Sequence, residues 1–164
     1  MEYHLLARES GSFEPVEPPP GLGLRVVRPR RGDWRRLLPL HIAYETEEVL
    51  LPGQRLNPNV SRSSLIESLA HQLVLVALRG NEPVARVATN ARGFRNDQIG
   101  GVYTVPDLRG RGVARWLMGC LLSYIAADSH GASLFVKTHN EAALKLYDTL
   151  GFTFVCPFRI GYFR

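Results

Sequence analysis

Six consecutive residues, Arg109-Gly110-Arg111-Gly112-Val113-Ala114, carry the strongest chemical signal in the sequence. They stand between a predicted strand that Pro106 terminates and the start of the longest predicted helix. Glycines at such a junction permit positive φ and let a ligand approach the main chain with no Cβ in the way. The first N–H groups of the helix have no internal partner, and the macrodipole adds positive potential at the same point. A pyrophosphate would meet both needs. Arg109 and Arg111 add formal charge, and Ala114 keeps the first turn slim. No GK[ST] follows, and the glycine spacing is not GxGxxG, so neither a Walker loop nor a dinucleotide loop is implied. For the hexapeptide alone, a glycine-rich turn with solvated arginines fits as well.

Other polar residues could complete a site. Asn140 precedes a predicted helix, where it is a cap, a ligand or both. Tyr147 shares a face of that helix with Ala143 and Leu150, which by itself fits a core residue with a satisfied hydroxyl. Glu45, Glu47 and Glu48 place three acids within four positions of an early helix. Glu47 and Glu48 are expected to face solvent, with Glu45 slightly better placed as a tentative base or acceptor contact. His139 and a water relay are the other routes for a proton. The five histidines form no HExxH pair, and Cys120 and Cys156 lack partners at knuckle or redox spacing. No metal is predicted.

The elements that must position these residues follow from period and punctuation. Leu24 to Val27 reads as a short strand, and Asp33 as the cap of a helix that Pro39 should kink or restart. Residues 52–59 read as a loop, and Ser64 with Glu67 as a capping box for a second helix through about Gln72. Leu73 to Leu78 and Val84 to Thr89, joined by Gly80-Asn81, form a hairpin. Ile99 to Val105 is a third strand. Val113, Leu117, Cys120, Leu121, Tyr124 and Ile125 recur at helical spacing to about Asp128. A strand from Ser133 to Lys137, a helix from Glu141 to Leu150, and two short strands from Phe152 to Phe163 around Pro157 complete the order. This predicts an α/β (α+β) layer fold: a mixed, mostly antiparallel central sheet of about seven strands, flanked by helices. Residues 1–23, rich in proline and glycine after position 9, read as an N-terminal arm or linker ahead of a domain spanning residues 24–164. The strand-like Tyr3 to Leu6 suggests contact with a neighbouring domain or a second copy.

At 164 residues, with 45% hydrophobic and 21% charged, the chain fits one globular domain. No stretch approaches a membrane span or a secretory leader, which points to the cytoplasm. A net charge of +5 and a pI near 9.6 suit a polyanionic small molecule, an anionic membrane surface or a nucleic acid. Scattered arginines without interleaved aromatics disfavour nucleic acid.

Arg109-x-x-Gly112-x-Ala114, preceded by Val102-Tyr103-Thr104-Val105-Pro106, resembles the R/Q-x-x-G-x-G/A signature of the GNAT acetyltransferase superfamily and the strand before it. Asn140, Tyr147 and the Leu150-Gly151-Phe152 ending resemble that family's second signature. The resemblance implies an N-acyltransferase that moves an acyl group from acetyl-CoA, or another acyl-CoA, to a small-molecule or protein amine by direct attack. It implies a cleft where the strand ending at Val105 splays from the strand of Leu134 to Lys137. Cofactor contacts would come from Tyr103, Thr104, Val105, the loop Arg109 to Ala114, Asn140 and Tyr147. Tyr147 matches the family's usual general acid. The strand Ile99 to Val105 has no acid where many members carry a glutamate, which leaves the base open. It also leaves a catalytically silent acyl-CoA-binding module or scaffold as the alternative. Residues 40–60 are expected to wall the acceptor side and, through their acids, to favour a cationic amine.

Overall fold

The computed structural model describes residues 1–51 and 53–161; Pro52 and the expected strand end at Phe163 lie outside the described residues. Seven strands, β1 (Glu2–Arg8), β2 (Leu24–Val27), β3 (Val74–Arg79), β4 (Glu82–Arg92), β5 (Asn96–Thr104), β6 (Gly131–Lys137) and β7 (Thr153–Arg159), form one sheet. Their order is β2-β3-β4-β5-β6-β1-β7. All neighbours pair antiparallel except β5 and β6. Helices α1 (Trp34–Tyr44) and α2 (Pro58–His71) cover one face, and α3 (Val113–Ala127) and α4 (Glu141–Thr149) the other. The central strands are apolar at nearly every position for that reason. In β3, Val74, Val76 and Leu78 face α1 and α2, while Leu75 and Ala77 face α3.

The number of strands agrees with the sequence reading, but their membership differs. Residues 1–23, expected as an arm, contribute β1 to the interior of the sheet, where it pairs with β6 on one side and β7 on the other. Its alternation buries Leu6. The chain between β1 and β2 then crosses α3: a Cβ on Gly119 would stand 2.5 Å from Val16 Cγ2 and 3.3 Å from Phe13 Cε1. The proline-rich composition that reads as a linker therefore belongs to a strap whose few apolar residues pack on the core. Among the described residues the C-terminal segment, expected as two strands, forms one, since Pro157 sits on the outermost strand, where a missing donor costs no pairing.

Two further corrections concern α1 and α2. Pro39 lies inside α1 without ending it, because the carbonyl it leaves unpaired is on the exposed side. The irregularity comes later, where Glu45–Val49 forms a π-helical turn closed by Leu50 N–H to Glu45 O at 2.9 Å. Helix α2 starts before the expected capping box, with Asn57 Oδ1 accepting from Asn59 N–H at 3.0 Å and Pro58 in the first turn. Glu67 is interior to α2 and pairs with His71 at 3.3 Å.

The parallel pair β5 and β6 is closed at one end only. Register runs from Asn96↔Gly131 to Ile99↔Leu134 and then stops. Asp97, fully buried at the closed end, accepts from Arg92 Nε at 3.2 Å and lies 3.2 Å from His130 Nδ1. Beyond Ile99 the register of β4 against β5 shifts: Arg86 faces Tyr103 and Ala88 faces Gly100, so β5 carries an extra residue. Gly101 takes φ +61 in that bulge, and a Cβ there would come 3.2 Å from Arg86 Nη2. A bulge bends its strand, and this one turns Gly101–Thr104 away from Phe135–Lys137.

Candidate active site

The gap between the splayed strands is a cleft of about 670 Å³, bounded by β5, β6, the loop before α3, α4, and the π-helical turn after α1. The volume suits a cofactor-sized ligand. From Gly100 to Thr104, β5 faces the gap with no strand paired on that side, so an extended chain could add to its edge.

At one end lies the glycine loop. Gly110 and Gly112 have φ +69 and +81, in the left-handed region the sequence led us to expect. No side chain caps α3, and its ladder begins with Trp116 N–H donating to Gly112 O at 3.0 Å. The preceding N–H groups thus open at the cleft with the helix dipole behind them. Gly112, Val113 and Ala114 all line it. Arg111 is exposed and does not, and neither does Val105, whose N–H is committed to Val84 O at 3.0 Å.

Arg109 lines the cleft, and its guanidinium is bonded within the protein. Its Nε–H donates to Thr104 O at 2.9 Å, while Nη1 and Nη2 each approach a Glu47 carboxylate oxygen at 2.7 Å. The guanidinium lies 5.3 Å from the centre of the Tyr103 ring. These bonds hold the Glu47 carboxyl below its usual range and tie the loop to the far wall.

Tyr147 and Asn140 complete the α4 side. Asn140 Oδ1 caps α4 by accepting from Ala143 N–H at 3.1 Å, and the residue also borders the cleft. Tyr147 is buried, its ring 5.9 Å from Phe152 in an edge contact. The Tyr147 ring belongs to the core cluster, and the residue also lines the cleft. Burial, then the charge of Glu48, pushes its phenol above the ordinary range, so it stays protonated at neutral pH.

The acids are arranged differently from the sequence expectation. Glu45 does not line the cleft; its Oε1 stands 3.1 Å from His41 Nε2, close but poorly aligned for a hydrogen bond. Glu47, exposed as expected, and Glu48, half-buried, both border the cleft, and Glu48 Oε2 accepts from Lys137 Nζ at 3.0 Å. The π-helical turn is the cause: its wider winding shifts the phase of every later side chain relative to an α-helix. His139 is exposed and lies outside the lining. Tyr44, from the segment expected to wall the acceptor side, lines the cleft, and Tyr3, brought in by β1, is a lining residue that sequence reasoning missed.

Behind Tyr44 lies a buried trio. An Arg86 N–H donates to His41 Nδ1, which leaves the His41 proton on Nε2, facing Glu45. Burial and then Arg86 lower the His41 pKa from 6.5 to about 4, against the pull of Glu45. Between those values the unfolded chain binds the extra proton, so this contribution is intact above pH 6.5 and declines as pH falls toward 4. Urea midpoints at pH 7 and pH 4.5 should therefore differ more in the wild type than in His41→Gln. Equal differences would disprove the assignment.

Residues 34–152 match the family described as Acetyltransferase (GNAT) family. Among solved structures, a GNAT-family protein from Novosphingobium aromaticivorans superposes with a TM-score of 0.68 at 20% identity, covering 96% of this chain and 62% of that one. A Drosophila protein gives 0.70 at 15% identity, covering 95% and 48%. A predicted acetyltransferase from Clostridium acetobutylicum, solved with acetyl-CoA, gives 0.65 at 18% identity over 79% and 90%. The chain thus spans about half to two thirds of the length of the first two. No curated protein matches the sequence. Among the described residues, no helix is long and apolar enough to cross a membrane.

Proposed function

Because this chain belongs to the GNAT acetyltransferase family, we propose that it transfers an acyl group from acetyl-CoA, or a related acyl-CoA, to the nitrogen of a primary amine. One observation carries the reading: a single cleft joins an uncapped helix N-terminus behind a left-handed Gly112 to an open strand edge and a buried tyrosine. The cofactor supplies an activated thioester. The loop N–H groups bind its phosphates, and the free edge of Gly100–Thr104 aligns its extended arm toward the apex at Ile99 and Leu134. The amine approaches from the side of Tyr3, Tyr44, Glu47 and Glu48. Tyr147 holds the proton that the leaving sulfur needs; an ammonium first loses one proton to water, and the proton its nitrogen sheds on acylation restores the phenol. The burial that raises its pKa destabilises a thiolate in the same place, so the phenol keeps its relative acidity.

A panel of primary amines incubated with acetyl-CoA should include at least one that raises thiol release above the rate with acetyl-CoA alone. Binding of acetyl-CoA without turnover across linear, branched and aromatic amines and peptide N-termini would instead favour a silent acyl-CoA-binding module.

A further inference from the structure

Consecutive carboxylates of the π-helical turn reach opposite limbs of the cleft. Glu47 is held by Arg109, next to the end of β5, and Glu48 by Lys137, at the end of β6. The two attachments differ in kind. Arg109 is anchored by Nε to Thr104 O and grips both Glu47 oxygens, a planar two-point contact that favours one geometry. Lys137 makes a single 3.0 Å contact through a flexible stem, with its side chain 21% exposed and that of Glu48 34%. A lone ammonium contact fixes less geometry than the two-point Arg109–Glu47 contact. The chain also uses lysine sparingly: of its twenty basic side chains, only Lys137 and Lys145 are lysines, and Lys137 is the one in the cleft. Glu48 is, moreover, the acid whose charge acts most strongly on Tyr147.

We propose that Glu48 is the carboxylate that receives the acceptor's ammonium, and that Lys137 is its resident occupant, displaced when the amine enters. The proposal rests on the acyltransferase reading and narrows its substrate class. The group displaced is a primary ammonium on an unbranched alkyl stem, so a linear primary alkylamine, cationic at neutral pH, fits the vacated contact. Tyr3, opposite Lys137 in the β1–β6 register, offers an aromatic wall beside the stem. Glu47, already neutralised by two bonds from Arg109, is not open to the same exchange.

The probe is n-butylamine, titrated into the full chain with and without CoA and followed by amide chemical shifts, with n-butanol as the neutral control. Lys137→Met removes the internal competitor and should tighten n-butylamine about threefold, the scale of a partly exposed ion pair. Glu48→Gln should weaken it at least tenfold. Lys137→Arg, which keeps the charge and can grip Glu48 at two points, should weaken n-butylamine relative to wild type and serves if the methionine variant does not fold. The proposal is overturned if Glu48→Gln binds n-butylamine as wild type does, or if neither lysine variant shifts affinity in its stated direction. CoA affinity is read from the same samples. Loss of CoA binding with these amine effects intact would count against the acyltransferase reading and leave the ammonium site standing.

Discussion

Gly112→Glu should abolish the rise in thermal midpoint that CoA is expected to give the wild-type chain. A ligand present at about a hundred times its dissociation constant adds roughly 2.7 kcal/mol to folded-state stability, a shift of several degrees for a domain of this size. The substitution removes the basis of that shift in two ways. Gly112 has φ +81 and ψ 1, a conformation that a side chain adopts at a cost of about 1–2 kcal/mol, so the loop would tend to leave it. The new carboxylate also stands at the uncapped end of α3, where it neutralises the positive end of the helix dipole and repels phosphate. A Cβ at this position meets nothing closer than Pro19 Cβ at 3.9 Å, so collision with the rest of the fold is not the cause. Gly112→Ala separates the two effects: it keeps the conformational strain and omits the charge, and should retain part of the shift. Each variant is compared with its own midpoint without CoA, which cancels any change in intrinsic stability. A wild-type midpoint that saturating CoA leaves unmoved would refute the assignment of this loop.

The parts of this site that were legible in the sequence are those fixed by local chemistry. Gly110 and Gly112, at a strand-to-helix junction, permit the left-handed backbone found there, and the apolar period from Val113 to Ile125 announces the helix they introduce. Gly80-Asn81 announces a hairpin in the same way. What was not legible depends on partners far along the chain. Tyr3 to Leu6 has strand character, but nothing nearby says that it threads between β6 and β7, whose partner residues lie more than a hundred positions away. The place of Glu47 and Glu48 on the cleft rim was not legible because a π-helical turn leaves no composition of its own, and one inserted residue moves the side chains after Glu45 around the axis. Gly101 is a third case. A glycine in a strand suggests a bulge, but only the register against Arg86 and Ala88 shows that this bulge opens the cleft.

Tyr147→Phe should lower kcat about 10²-fold or more while leaving acetyl-CoA affinity near that of the wild type. The substitution deletes one oxygen and keeps the ring, so the edge contact with Phe152 at 5.9 Å and the packing among Leu144, Leu150 and Phe152 are retained. Loss of a positioned general acid costs about 10²- to 10⁴-fold, whereas loss of a hydroxyl that merely packs costs stability and little rate. The two roles therefore separate when rate and midpoint are measured on one preparation. A leaving group of lower basicity sharpens the distinction. An acyl donor with an aryl thiol expels a weaker base than coenzyme A does, needs less protonation, and should recover much of the rate lost in Tyr147→Phe. If the phenol acted only by holding α4 against the cleft, the deficit would be equal for both donors. A variant that turns over acetyl-CoA at the wild-type rate would remove Tyr147 from the proton's path and return it to the core, where its burial already places the ring.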